Sequence, residues 1–369
     1  MISLPEVTYQ LFFLLIGMIV IVYDLNLIIL SDTPLPNTEK KGNMWLPFIL
    51  ATFLTIWFGS RNYNLYIYGD SYFYAHSYNI IDTSNISGAD IDWSSEWFFS
   101  LINVAFRFSG ISTKHYFTFL AFLYIFSVLW ASRLFCPGRP MLAFLFILTS
   151  FSFLPFGLNG VRNGIACHLC LLAIALYLDD KRIAAGIIAF IILGVHRSVI
   201  LPIAAGIAAV TVIRNPKTAL IIWLASIPVS LIAGNYFSDF IMSIGFDDRM
   251  TKYAGGSLRG MNHFSGTGFR WDFLVYSALP VAFYYYVNIW KGLRDGWYNV
   301  IATIYMLSNA FWIIVIRAEF SNRFAYLSWF LMPVMLAYPL ANMKVVEWQR
   351  SLSAITLTVY FVLTLFLLL

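Results

Sequence analysis

The run Met141-Leu-Ala-Phe-Leu-Phe-Ile-Leu-Thr-Ser-Phe-Ser-Phe-Leu-Pro-Phe-Gly-Leu158 carries no charge, and after the turn Asn159-Gly-Val-Arg-Asn-Gly164 a second apolar run continues to Leu178. A helix crossing the roughly 30 Å hydrocarbon core of a bilayer takes about 20 apolar residues. Two such runs in succession, joined by a tight polar turn, predict a helical hairpin that crosses a membrane twice.

The rest of the chain repeats that alternation. Of 369 residues, 60% are hydrophobic and 11% charged, against roughly 25% charged in soluble domains. Apolar runs broken by charged turns predict spans at Tyr9–Leu30, Trp45–Ser60, His115–Phe135, Met141–Leu158, Val161–Leu178, Ile183–Val195, Val199–Ile213, Ala219–Gly234, Trp271–Trp290, Tyr298–Ile316, Phe324–Ala341 and Ser351–Leu369, about twelve in all. Trp97–Gly110 is shorter and interrupted by Arg107, which suits an interfacial helix. The expected architecture is all-α and polytopic, one transmembrane domain over residues 1–369. Tyr9–Leu30 has neither a basic stretch before it nor a small-residue cleavage site, and reads as a retained first span rather than a signal peptide. Cys136, Cys167 and Cys170 stand in apolar settings and read as packing residues. Phosphate-binding glycine loops, His-Glu-x-x-His and nucleophile elbows are missing, which argues against nucleotide hydrolysis and zinc chemistry. Nothing points to a nucleic-acid partner.

Six alternate turns carry paired basic residues: Lys40–Lys41, Arg133 with Arg139, Lys181–Arg182, Arg214 with Lys217, Lys291 with Arg294, and Lys344 with Arg350. The positive-inside rule puts these turns in the cytoplasm and both termini outside. Eleven basic residues are left for the outer half, and nine of them are arginines. Arginine's planar fork grips phosphate bidentately and keeps its charge at membrane depth, which a topology signal does not require. An anionic ligand at the outer surface accounts for that surplus.

Candidate chemistry also gathers in the outer segments. Loop 61–96 holds Asp70, Asp82, Asp90, Asp92 and Glu96 among tyrosines and tryptophans. Its carboxylates suit a general base or sugar hydroxyls, and its rings suit sugar faces; the bland alternative is caps and solvated loop charges, which fits Asp82 best. Asn159, Gly160, Arg162, Asn163 and Gly164 open a helix, where free N–H groups and a fixed cation make an anion site. His196 and Arg197 form a second outer turn, with a proton shuttle and a phosphate contact as their functional reading. Loop 235–270, with Arg270 at its end, is long enough for a lid. The two loops together are expected to cap the active site. Arg323 opens a span four residues after Glu319, close enough for an ion pair.

Through Tyr68-Gly-Asp70, Glu96-Trp-Phe-Phe-Ser-Leu-Ile, Asn159-Gly-Val-Arg162-Asn-Gly-Ile-Ala, His196-Arg-Ser198 and Asn322-Arg323-Phe-Ala-Tyr326 the chain resembles the EpsG/Wzy-type membrane polymerases of bacterial surface polysaccharides. It departs from the family's pattern at Asn163, where the family prefers Gln, and at Arg197, which separates His196 from Ser198. The resemblance implies a metal-independent glycosyltransferase without a cofactor, set in the bacterial inner membrane with its site facing the periplasm. It would join oligosaccharide repeat units carried on undecaprenyl diphosphate, with a chain-length regulator and a flippase as further partners. Such a transfer expels a stabilised diphosphate, so it needs cations on that group and one base for the acceptor hydroxyl. Arg162, Arg270, Arg323 and Arg197 are the expected diphosphate ligands. His196, Asp70 and Glu96 are the base candidates, Asn159 and Asn163 are supports, and Glu319 orients an arginine. Two other readings stay open: an O-antigen ligase or polyprenyl-phosphate-dependent transferase using Asp90 and Asp92, and a lipid-linked sugar flippase, which would favour charges inside spans, where ionisable residues are scarce and Asp24 and His168 are the main ones.

Overall fold

The computed structural model describes residues 4–30, 41–61, 70–84, 91, 93, 96–243, 268–317 and 321–368. Among them all regular structure is helical. Seven helical stretches are long and apolar enough to cross a membrane: Tyr9–Ile29, Thr113–Phe135, Val161–Leu178, Pro216–Phe237, Trp271–Trp290, Arg323–Asn342 and Gln349–Leu367. Trp45–Gly59, Trp97–Phe108, Arg182–Leu193 and Arg197–Thr211 are shorter apolar helices. The chain is a polytopic helical membrane protein.

Two compact units make up the fold, one of Met1–His196 with Leu336–Leu369 and the other of Arg197–Met335. The first contains α1 (Leu4–Ile29), α2 (Trp45–Gly59), α3 (Asp70–Asn79), α4 (Trp97–Phe108), α5 (Thr113–Phe135), α6 (Pro140–Leu148), α7 (Phe153–Leu158), α8 (Val161–Leu178) and α9 (Arg182–Leu193). It closes with the later residues of α15 (Met332–Asn342) and with α16 (Gln349–Leu368). α5 is its hub, packing against α2, α6 and α8. Lipid supplies no hydrophobic drive between helices, so close van der Waals approach has to. At Gly59 a side chain would put its Cβ 2.5 Å from Thr118 Cα, so only glycine lets α2 lie this near α5.

The expected span Met141–Leu158 is not one helix. Thr149 and Ser150 bond back to Leu145 O and Ile147 O at 2.8 Å each, and the backbone breaks between α6 and α7. Hydroxyls that compete for carbonyls of the preceding turn loosen a helix. Nearly every side chain from Pro140 to Leu158 is buried, the one setting in which broken backbone is tolerated at membrane depth. α4 has 12 residues, about 18 Å of helix, and as expected is too short to cross.

The two ends of the first unit differ in chemistry. At the C-terminal end of α5, Arg133 Nη1 donates to Gly42 O at 3.2 Å and Pro137 O at 3.0 Å, and Asn342 Nδ2 donates to Phe135 O at 2.8 Å. Three of the basic turns read as cytoplasmic therefore converge. At the N-terminal end, Tyr78 stacks on Tyr116 with centroids 4.3 Å apart, and Arg61 lies over Phe117. Asp82 sits in an exposed turn where Ser84 donates both Oγ–H and N–H to its Oδ1, holding that carboxyl below the usual carboxylate range. It is the loop charge it was expected to be.

The second unit contains a short 3-10 turn (Arg197–Val199), α10 (Ile200–Thr211), α11 (Pro216–Ser243), α12 (Trp271–Tyr284) with a π-helical end (Tyr285–Trp290), α13 (Gly296–Ile314) and α14 (Ser321–Trp329). α11 runs nine residues past Gly234, where its span was expected to end. The span expected over Phe324–Ala341 is divided into α14 and α15, with Pro333 in the first turn of α15, where its missing N–H costs nothing. α13 is the hub. Around it Asn309 accepts from Trp223 Nε1 at 2.8 Å and donates to Ser328 Oγ at 2.9 Å, and Trp329 Nε1 donates to Ser277 Oγ at 2.7 Å. Polar glue of this kind ties membrane helices together.

Candidate active site

Glu96 occupies the N-cap position of α4, yet its side chain makes no cap hydrogen bond. The carboxylate turns instead to two partners from distant parts of the chain. Oε2 forms an ion pair with Arg162 Nη1, and Oε1 lies 2.8 Å from His196 Nδ1. The side chains of Glu96, Arg162 and His196 keep only 12%, 19% and 16% of their exposure, so this is no solvated charge cluster.

The backbone around the cluster is fixed by helix ends that satisfy one another. An α-helix leaves its first N–H groups and last carbonyls without internal partners. Phe98 N and Phe99 N, at the start of α4, both donate to Gly194 O, at the end of α9, at 2.9 and 3.1 Å. Gly194 is required: a Cβ there would land on the indole of Trp97 and 2.9 Å from Phe98 Cβ. A second junction works the same way. Asp70 N, the first amide of α3, donates to Asn159 Oδ1 at 2.8 Å, and Ser71 Oγ donates to Leu158 O at 2.6 Å. Thus α3 and α4 are both docked on the turns that end other helices.

Arg162, in the first turn of α8, is held on three sides. Its Nε donates to Tyr74 OH at 2.9 Å, and its guanidinium carbon lies 5.0 Å from the Tyr74 ring centroid and 5.6 Å from that of Phe99. Nε and Nη1 are engaged; Nη2 makes no hydrogen bond among the described residues. Arginine's fork carries five N–H donors, so this one is positioned by the fold with donors to spare.

The imidazole has a defined tautomer. A carboxylate only accepts, so the proton between His196 and Glu96 sits on Nδ1, and in the neutral ring the lone pair is on Nε2. A base oriented by a carboxylate is the arrangement that general-base catalysis uses.

The expected site residues fall into three groups. Glu96, Arg162 and His196 meet in the first unit, where Asp70 also joins Asn159 through its backbone amide. Asn159 acts there as the cap of α3, and Asn163 is bonded within α8, where Cys167 Sγ donates to its Oδ1 at 3.4 Å. Arg197, Arg270 and Arg323 belong to the second unit. Arg270 is engaged bidentately by Asp272, with Nε to Oδ1 at 2.9 Å and Nη2 to Oδ2 at 2.5 Å, and lies 3.7 Å over the Phe273 ring. Glu319, Tyr68, Gly69, Asp90 and Asp92 lie outside the described residues. So does most of loop 235–270, including Arg249, Lys252, Arg259 and His263.

The sequence reading missed Tyr74, Phe99 and Asp272. Tyr74 had one usable signal, its position a helical turn after Asp70. Inside the spans, His168 stacks on Tyr124 at 4.0 Å with Nδ1 2.8 Å from Tyr124 O, and Asp24 Oδ2 accepts from Thr358 Oγ1 at 2.7 Å. Both pack helices together. Among the described residues no three His, Cys, Asp or Glu side chains converge as a metal cage.

No curated protein and no solved structure matches the chain. The model of the EpsG family matches residues 44–369, a stretch that includes every residue of the cluster. The chain belongs to the EpsG family, the family of Wzy-type polymerases.

Proposed function

We propose that the protein is a polysaccharide polymerase that transfers a growing glycan from undecaprenyl diphosphate to a repeat unit carried on a second undecaprenyl diphosphate, at the periplasmic face of the inner membrane. One observation carries this reading: a single part-buried carboxylate, Glu96, holds a multidentate cation and an oriented imidazole side by side. His196 Nε2 takes the proton of the acceptor hydroxyl. The freed oxygen attacks the anomeric carbon of the donor glycan, and the bond to the diphosphate oxygen breaks, its electron pair leaving with undecaprenyl diphosphate. Glu96 keeps the imidazole in the productive tautomer and stabilises the imidazolium that forms, while Arg162 meets the charge growing on the leaving group.

Glu96 and Arg162 cancel each other's charge, so a diphosphate calls for more cations than this cluster holds. Arg323, Arg197 and Arg270 are kept as proposed phosphate ligands, Arg270 after exchanging Asp272 for phosphate. Asp70 is proposed to hold acceptor hydroxyls. Donors aimed at developing charge are worth about 10²–10³-fold each, so Arg162→Ala should leave an inserted protein whose chain extension falls by about that factor. A glycan ladder from cells carrying the variant tests it. Single repeats without long chains are expected; an unchanged ladder would refute the assignment.

A further inference from the structure

An apolar cavity of about 170 Å³ begins at the residues that adjoin the charged cluster. α4, α5, α8 and α9 wall it. Phe98 and Phe99 follow Glu96, Ile165 and Leu169 lie one and two turns beyond Arg162, and Val195 precedes His196. Phe99 serves both places, lining the hole and carrying the Arg162 guanidinium at 5.6 Å. Every lining residue is Phe, Ile, Leu or Val.

Such a hole forfeits packing contacts unless something fills it. Apolar cavities of about 150 Å³ stay dry and take a ring of six carbons, so this one suits a five-carbon branched unit. We infer that the cavity seats the first isoprene unit of the polyprenyl chain whose diphosphate Arg162 holds, which rests on the lipid-diphosphate reading above. In a prenyl diphosphate the hydrocarbon starts at the first carbon beyond the phosphate oxygen. A phospholipid interposes a glycerol and two esters, whose carbonyls need polar partners, and the lining side chains offer none.

Photolabelling of the full chain in proteoliposomes with a benzophenone derivative of geranyl diphosphate tests this. Adducts are expected on α8 and α9 at Ile165, Leu169, Ile188 or Ile191, competed by farnesyl diphosphate and not by dioleoyl phosphatidylglycerol. Leu169→Trp, which fills the hole, should cut that labelling at least about tenfold, while Leu169→Met retains it. Adducts elsewhere, equal competition by the phospholipid, or full labelling of Leu169→Trp would each overturn the inference. These failures are separable from failure of the polymerase reading. That reading stands or falls with the ladder of Arg162→Ala, whatever the label finds.

Discussion

Glu96 and His196 were rival bases on sequence grounds, and the structure makes them partners. They stand 100 positions apart, and their hydrogen bond depends on the α4–α9 junction, which no periodicity reveals. Glu96→Gln preserves shape but puts an amide where a guanidinium and an imidazole are held. Chain extension should fall about 10²–10⁴-fold, and adding His196→Gln should cost little more, because residues acting as a unit are not additive. A ladder series of the two single variants and the double checks this, and a multiplicative loss would show that the two act separately. Tyr74→Phe keeps the ring under Arg162 and removes the acceptor of Nε–H. A hydrogen bond to a charged group is worth about 1.5–3 kcal/mol, a loss of roughly 10–100-fold in extension rate; an unchanged rate would mean that this bond does not position Arg162. Arg270 shows the limit of spacing rules. Residues two apart do not face each other within a helix, but Arg270 precedes the first turn of α12 and reaches back to Asp272.

Helices were legible where apolar runs were long: seven of the twelve expected spans match helical stretches long and apolar enough to cross, and the other five overlap helices that do not meet that measure among the described residues. Their interruptions were harder to read. The Thr149–Ser152 break depends on hydroxyls choosing carbonyls of the previous turn, and the same residue types sit quietly in continuous helices elsewhere, as Ser127 does in α5. α3 was equally hidden, because ten residues, all polar or aromatic but Ala75, show little apolar bias, and its first turn is received by Asn159 and Leu158. The glycine-rich turn at Asn159–Gly164 was read as an anion site, and its polar atoms proved to be helix caps and intrahelical bonds. Arg162, in the same turn, reaches Glu96 and Tyr74. Because the first amides of α4 share a single carbonyl, Gly194→Val tests how that end of the element is seated. The added side chain collides with Trp97, and overpacking of this kind costs about 1–3 kcal/mol. A lower unfolding temperature in detergent should accompany loss of long glycan chains, with Gly186→Val on the open face of the same helix as a neutral control. Equal behaviour of the two variants would show that α4 is not seated by this junction.

At the scale of the molecule, the surplus of arginine over lysine outside the basic turns is the signal that led to Arg162. Among the described arginines, Arg162 pairs with Glu96 and Arg270 with Asp272, and Arg107 donates to Asn79 O at 3.2 Å. Orientation has a firmer basis within the first unit. α5 is 23 residues long, about 35 Å of helix. The Arg133 and Gly42 turns sit at its C-terminal end, and α3 and the stacked Tyr78 and Tyr116 sit at its N-terminal end. If the positive-inside rule governs, Asp82 faces the periplasm and Asp180, beside Lys181 and Arg182, faces the cytoplasm. Both are exposed, and the native Cys136, Cys167 and Cys170 are buried, so single introduced thiols can be read against a quiet background. Asp82→Cys should react with a membrane-impermeant maleimide once the periplasm is opened to it, and Asp180→Cys only after the inner membrane is permeabilised. The reverse pattern would turn the Glu96 cluster toward the cytoplasm, where the proposed acceptor and donor glycans are not presented, and the polymerase mechanism would fall with the topology.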